Sequence, residues 1–395
     1  MTGDQLRGDR TAPPTNSAYL DYNATAPVRP EAASAVLDTL RVPGNASSPH
    51  AAGQRASALV QLGRSQLAEL LRCSPNELVI TSGATEANNL ALRVAAPDGG
   101  QLVVSATEHP AVLEAARQIA TDQGCDLTII GVDRDGQLRL DELHAALNSP
   151  LPTVVSIMAA NNETGVLNDI QEMAELTRAA GGIFHTDATQ LVGRLPLDLS
   201  TVTIDMLSLS AHKFGGPQGV GALFLRRGLP VAHRPLVRGG GQERGWRAGT
   251  LNVAGIAGMG AAAAAAQAQL DIERERTAQL RDRLEALVLA ALPDTQINGR
   301  SVPRLPGVSS MTFPGAPADA VLSGLPEVAA SDGSACSSGA LAPSHVLLAM
   351  GRTAEEAEST VRFSLGHATT KAEIDFAAEQ VVSVVRRVKE AMWVS

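Results

Sequence analysis

Cysteine is scarce in this chain: Cys73, Cys125 and Cys336 stand far apart in 395 residues, with no C-x-x-C pair. An odd number at such spacing argues against a disulfide framework and fits a reducing compartment, leaving room for one reactive thiol. Metal-ligand patterns are missing too. The eight histidines form no H-E-x-x-H and no Cys/His cluster, so no permanent metal site is read. Positive charge is in deficit: 32 Lys and Arg face 41 Asp and Glu, a net charge of −9 with a pI near 5.4. That balance argues against direct nucleic-acid binding and against anionic membranes. No charged n-region precedes an apolar h-region, and no long uninterrupted apolar span appears, so a cytoplasmic protein is expected.

What remains is 44% hydrophobic and 18% charged residues, enough for a large core and for a large domain with a smaller one. Residues 1–16 are polar with a Pro–Pro pair and read as a disordered tail. Asn45–Gly53 reads as a loop, and Ala58–Leu71 as an amphipathic helix. Strands and helices then alternate. Strands are expected at Leu78–Thr81, Leu102–Ser105, Leu127–Ile130, Val154–Met158, Ile183–Thr186 and Met206–Ser210, with helical patterns between most of them. Such alternation predicts a mostly parallel sheet covered on both faces, with ligands gathering beyond the carboxyl ends of its strands. A long alanine-rich helix to about Leu292 leads to a shorter α/β region, which yields domains at 17–265 and 266–395.

Polar residues cluster just after the expected strands. The LVIT strand runs into Ser82-Gly83-Ala84-Thr85 and a helix start, which is an anion site or an ordinary N-cap. His109, Asn162, Asp187, Gln190, Ser210 and His212 follow other strands; each alone reads first as a loop or capping residue, and it is the full set at one sheet edge that points to a site. The centre of the pattern is SLSAHKFGGPQGVG. Lys213 at the end of a buried strand is either an exposed lysine in a glycine-rich turn or a desolvated amine able to form a Schiff base. Arg238–Val253, RGGGQERGWRAGTLNV, is a flexible surface loop or an anion-facing, subunit-bridging one, with Thr250 a candidate phosphate donor. Cys336 sits in SDGSACSSG with little apolar cover, the setting of an accessible thiol rather than a structural one.

Taken in order, LDYNATAP, TSGATEANNLA, TEHPAVL, NNETGVLNDI, HTDATQ, SAHKFGGPQGVGAL, GGGQERGWRAGTLNV, SDGSACSSG and VRFSLG resemble the motifs of the cysteine desulfurases of the nitrogen-fixation and iron–sulfur-cluster assembly type. The resemblance spans about residue 18 to the end. It implies an α/β architecture of PLP-dependent fold type I with pyridoxal 5′-phosphate as cofactor. By it, Lys213 holds the cofactor and moves the substrate α-proton, and Asp187 pairs with the pyridine nitrogen. His109 stacks on the ring and acts in catalysis, while Gln190 bonds the phenolic oxygen. Ala84, Thr85, Ser210 and His212 hold the phosphate, joined by Thr250 of a second subunit in a homodimer. Asn162, Arg362 and Asn23 bind the L-cysteine substrate. Cys336 accepts its sulfur as a persulfide and passes it to an acceptor, such as an iron–sulfur scaffold or a tRNA-thiolation relay. Cys336 is also implied as a transient cluster ligand.

The sequence departs from the family pattern at Ala26 and Ala46, with Pro49 placed later, and at Trp246, Ala248 and Asp332. The Asp332 carboxylate is expected to raise the thiol pKa by like-charge repulsion. Two other readings are a selenocysteine lyase or other class V enzyme, which Cys336 disfavours, and a non-catalytic sulfur-transfer scaffold, which would be expected to lack Lys213 or Cys336.

Overall fold

Alternating apolar strands and amphipathic helices give a layered molecule, seen in a computed structural model that describes residues 17–333 and 343–394. The expected tail at 1–16 and Cys336 lie outside the described residues. The first part runs β1 (Ala18–Tyr19), α1 (Pro30–Leu40), α2 (Ala51–Leu71), β2 (Leu78–Thr81), α3 (Ala84–Ala95), β3 (Gln101–Ser105) and α4 (Pro110–Gln123). It continues with β4 (Asp126–Ile130), α5 (Leu140–Leu147), β5 (Thr153–Ser156), α6 (Ile170–Ala179), β6 (Ile183–Asp187), β7 (Met206–Ser210) and β8 (Gly221–Leu225).

β2 to β8 form a seven-stranded sheet in the order β2-β8-β7-β6-β5-β3-β4. β8 runs antiparallel to both its neighbours and the remaining pairs are parallel. β8 lies in an apolar run, GALFL, that follows the Lys213 turn, and it was not among the expected strands. The strands read as continuous apolar runs because both faces are covered. Successive residues serve opposite cores: Val103, Val155 and Leu207 pack on one side with Leu67, Phe184 and Ile256, whereas Leu102, Val154 and Met206 pack on the other with Leu90, Val112 and Ala116. Full burial of each such side chain contributes about 1.5–3 kcal/mol. The edge strand β4 is more exposed along most of its length.

The region read as a loop at Asn45–Gly53 ends earlier than expected, since α2 starts at Ala51. His50 caps it, its Nδ1 accepting from Gly53 N at 3.3 Å. α2 packs closely on α7 (Val253–Ala291): a Cβ on Gly63 would fall 2.4 Å from the Ile256 carbonyl, so glycine permits the approach. The alanine run lies within α7, with Ala262, Ala263 and Ala266 buried.

Beyond α7 follow β9 (Gln296–Ile297), β10 (Val308–Thr312), α8 (Ala318–Ser323), β11 (Val328–Ala329), α9 (His345–Ala349), α10 (Ala354–Glu358), β12 (Thr360–Ser364) and α11 (Lys371–Val394). β12, β10 and β9 make an antiparallel three-stranded sheet. A second core forms there from Leu280, Leu284, Phe313, Phe363, Ile374 and Val381. Ala18 and Leu20 join this core, and β1 pairs in parallel with β11, so the first strand is packed with the last part of the chain.

Candidate active site

Because β2, β3, β5, β6 and β7 run the same way, the residues that follow them meet at one sheet edge. They line a cavity of about 520 Å³. Of the residues singled out in the sequence, Ala84, Thr85, His109, Asn162, Asp187, Gln190, Ser210, His212 and Lys213 all line it. Asn23, Thr250 and Arg362 do not.

One end of the cavity is built for an anion. α3 begins at Ala84, and its N-cap residue, Gly83, offers no side-chain cap, leaving the first amides open beside Ser210 and His212. Close approach requires glycine at Gly221, where a Cβ would stand 2.7 Å from Gly83 Cα. Glu86, itself on the cavity lining, braces the turn: it accepts from Ser82 N at 2.8 Å and from Arg247 Nε at 2.9 Å. Thr250 is exposed.

The middle of the cavity carries a fixed carboxylate. Asp187 Oδ2 accepts from Asn88 Nδ2 at 2.7 Å and Oδ1 from Thr189 N at 2.9 Å. Asn88 is fully buried, and nothing in the sequence reading distinguished it from its helix neighbours. His109 caps α4, its Nδ1 accepting from Ala111 N at 3.0 Å, which places any proton of the neutral ring on Nε2. Burial lowers its pKa, Lys213 and His345 add to that, and Asp187 opposes it. The His212 imidazole is held down to about 4 by burial and then by Lys213 and Arg194.

Lys213 ends a short turn, Ala211–Lys213, directly after β7. Its Nζ donates to the carbonyl of Asn23 and, at 2.9 Å, to that of Ala24. Asn23 is a junction: its carbonyl also accepts from Gln190 Nε2 at 3.1 Å, its Nδ2 donates to the Asn162 carbonyl at 2.9 Å, and Arg194 donates to its Oδ1. The Asn23 side chain is therefore engaged by protein on both sides. Arg362 is buried, with Nη1 on the Asn162 carbonyl at 3.1 Å and Nη2 on Asp21 Oδ1 at 2.8 Å.

Gln190 Oε1, Asn88 Oδ1 and Thr189 Oγ1 are buried without a hydrogen-bond partner in the described structure, and all three residues line the cavity. A ring with several polar substituents and an anionic arm, as pyridoxal phosphate is, fits these orphan atoms, the Asp187 carboxylate and the open helix end. Neither described thiol suits nucleophilic work. Burial pushes Cys73 up to about 12, and it raises Cys125, whose Sγ donates to the Pro97 carbonyl. Cys336 lies outside the described residues.

The Arg238–Val253 loop is anchored rather than loose. Glu243 is buried, accepting from Arg64 Nη2 at 2.5 Å and Ile80 N at 2.7 Å, with its own backbone left-handed at φ 48°. Trp246, one of the departures, packs on His233 with ring centres 4.7 Å apart.

A family model described as aminotransferase class-V matches residues 18–376. The chain is 44% identical over 377 residues to a cysteine desulfurase of Trichormus azollae, covering 94% of this chain and 93% of that one. It is 42% identical over 380 residues to the cysteine desulfurase IscS of Proteus mirabilis, with the same coverage. Among solved structures, a NifS-like protein from Rickettsia africae ESF-5 superposes with a TM-score of 0.84 at 32% identity, covering 93% of this chain and 99% of that one. DndA from Streptomyces lividans gives a TM-score of 0.74 at 37% identity, covering 87% and 98%.

Proposed function

This chain belongs to the class-V aminotransferase family and, within it, to the pyridoxal-phosphate-dependent cysteine desulfurases, and on that premise we propose the roles of its residues. The observation that carries the proposal is the convergence of Asp187, His109 and Lys213 on one cavity whose far end is an open helix N-terminus.

Bound pyridoxal phosphate supplies a reactive carbonyl and an electron sink that weakens bonds at the substrate's α and β carbons. The open amides of α3, with Thr85, Ser210 and His212, bind its phosphate. Asp187, held by Asn88 and Thr189, keeps a proton on the ring nitrogen. His109, neutral and fixed by its cap to Ala111, covers the ring face, and Gln190 takes the phenolic oxygen. Lys213 Nζ anchors the carbonyl and carries the substrate's α-proton, leaving the carbonyls of Asn23 and Ala24 to do so. Asn162 and Arg362 take the substrate carboxylate. Arg362 Nη2, now on Asp21, is a charge-assisted donor of the kind such a carboxylate needs. Asn23 orders Lys213, Gln190 and Asn162 relative to one another through the bonds already described, and its substrate role is exercised through Asn162.

The balance of the reaction needs no outside oxidant or reductant. L-Cysteine and the Cys336 thiol give L-alanine and a Cys336 persulfide: the S–S bond forms as the Cβ–S bond breaks, and carbon keeps the electron pair and is protonated. The persulfide sulfur then goes to an acceptor, for which we propose an iron–sulfur scaffold or a tRNA-thiolation relay. A homodimer is part of the same reading, supported by Thr250 being exposed and outside the cavity, where a second copy's phosphate site would use it. So is a cytoplasmic location, supported by the three widely spaced cysteines, of which the two described are free thiols as a reducing compartment would keep them. The division near residue 265 is supported by the two separate cores.

The test is sulfide and alanine release from L-cysteine by protein with pyridoxal phosphate and a reductant, beside Cys336→Ser and Lys213→Ala. Equal sulfide and alanine are expected from the wild type alone. Cys336→Ser keeps the bound-cofactor absorbance and Lys213→Ala loses it. Undiminished desulfuration by Cys336→Ser refutes the assigned acceptor.

A further inference from the structure

Glu163 has no part in the mechanism above, yet it is a carboxylate only 5% exposed, next in sequence to Asn162 of the cavity wall. Its backbone is fixed by Asn161, whose Oδ1 accepts from Glu163 N at 2.9 Å and from Thr164 N at 3.0 Å. Burying a carboxylate is costly, so its surroundings are informative.

Those surroundings are the two flanks of one chain segment. On one flank, Gly333, with φ +83°, packs directly against the Glu163 side chain; a Cβ there would lie 3.2 Å from Glu163 Oε2. On the other, Ser344 Oγ donates to Glu163 Oε2, while accepting from Leu347 N at 3.2 Å to cap α9. The chain thus leaves this carboxylate at residue 333 and is back at it by residue 344. Further bonds tie the same flanks to the cavity wall. Ser331 and Arg362 exchange backbone bonds of 3.2 and 2.6 Å. His345 Nε2 stands 2.9 Å from the carbonyl of Glu108, the residue before His109.

We infer that Glu163 is a positioning residue for the sulfur-transfer step, holding both flanks of the Cys336-bearing stretch against Asn162 and Arg362. The inference rests on the assignment of Cys336 as sulfur acceptor. A purely structural anchor would be served by any buried acceptor. Here the anchor is ionisable, and both the Arg362 guanidinium of β12 and the Asp332 carboxylate are near enough to act on it. Its pKa stands at about 7, with burial raising it most, Ser344 and Arg362 pulling it down and Asp332 pushing it up. The ionised form takes the Ser344 hydrogen bond, so the hold on residue 344 strengthens as the carboxyl loses its proton.

The experiment is single-turnover alanine formation from L-cysteine against pH in the holoenzyme. Wild type is compared with Glu163→Gln, Glu163→Ala and Ser344→Ala, and cysteine affinity is read from the change in cofactor absorbance. Glu163→Ala should slow alanine formation about tenfold to a hundredfold, the scale of a misplaced reacting group. Its cofactor spectrum and cysteine affinity should be unchanged. The wild-type rate should rise through a limb near pH 7. Glu163→Gln, an acceptor at every pH, should restore much of the rate lost in Glu163→Ala and lack that limb. Ser344→Ala should slow the same step. Variants that match wild type in rate and pH profile overturn the inference; so do variants that lose cofactor and cysteine binding in step with rate. Cys336→Ser assayed alongside separates the two readings. If it still forms alanine at the wild-type rate, the acceptor assignment fails; if it does not, normal Glu163 variants sink only the positioning role.

Discussion

Replacing Glu243 by glutamine tests whether the glycine-rich loop is held by a buried ion pair. Arg64 and Glu243 retain only 6% and 2% of their side-chain exposure, and each makes a second bond inward: Arg64 Nη1 to the Leu78 carbonyl at 2.7 Å, Glu243 Oε2 from Ile80 N at 2.7 Å. Glutamine keeps the acceptor for Ile80 but leaves the Arg64 charge buried and uncompensated, which costs about 3–5 kcal/mol. For 395 residues the unfolding entropy is about 0.8 kcal/mol/K, at roughly 2.1 cal/mol/K per residue, so the melting point should fall by about 4–6 °C. The assay is a thermal melt of the holoenzyme followed by circular dichroism and by cofactor absorbance. Arg64→Met combined with Glu243→Gln removes both charges, and a well-packed neutral replacement of a buried pair is often nearly neutral. The double variant should therefore be more stable than the sum of the single losses. A single-variant melting point within about a degree of wild type, or strict additivity in the double variant, refutes the argument.

Two further outcomes follow from the site and the core. Asn88→Ala removes the donor to Asp187 Oδ2, a hydrogen bond to a charged group worth about 1.5–3 kcal/mol, so pyridoxal phosphate should be retained roughly ten- to a hundredfold less tightly. Dialysis followed by titration with pyridoxal phosphate reads this, and unchanged retention would show that Asp187 needs no such support. His185 is fully buried between Ser156 and Ser208, and burial holds its imidazole neutral well below the usual range. An unfolded chain protonates histidine near 6.5. Below that pH the unfolded state binds protons that the native state refuses, so stability falls as pH drops. Wild type should lose more stability than His185→Asn on acidification below about pH 6.5; parallel curves would contradict the assignment.

Most of the cavity was legible in the sequence because its residues come in one repeating context, a short apolar strand followed at once by polar residues. Asp187 and Ser210 end their strands and His109 comes shortly after β3, and a parallel sheet carries that adjacency into space. Residues whose partners are remote were not legible. Glu243 looks like a solvent-facing charge among glycines until Arg64, 179 positions away, is brought against it. Asn88 reads as one more polar residue of a helix, and only the fold aims it at Asp187. Glu163 belongs to a motif already noted, yet its contacts with residues 333 and 344 depend on the second core docking. β8 is hidden in the sequence because its apolar run follows a glycine turn without an intervening helix, and the start of α2 is hidden by the Asn, Ser and Pro before His50.

The pairing of β1 with β11 has a consequence in time. Roughly 310 residues separate Ala18 from its partner Val328, which at about 5–20 residues per second is on the order of a quarter of a minute to a minute of synthesis. Throughout that interval the apolar Ala-Tyr-Leu at positions 18–20 has no strand to join. Asn23, close behind it, waits first for Lys213 and then, until β12 emerges, for Ser364, whose Oγ accepts from its backbone N. The support behind the cavity wall, where Asn23 and Arg362 both bond the Asn162 carbonyl, is thus completed from the chain's earliest and latest residues together. A ribosome-bound chain stalled before residue 328 should hold the seven-stranded sheet without a finished site, its first strand available to chaperones.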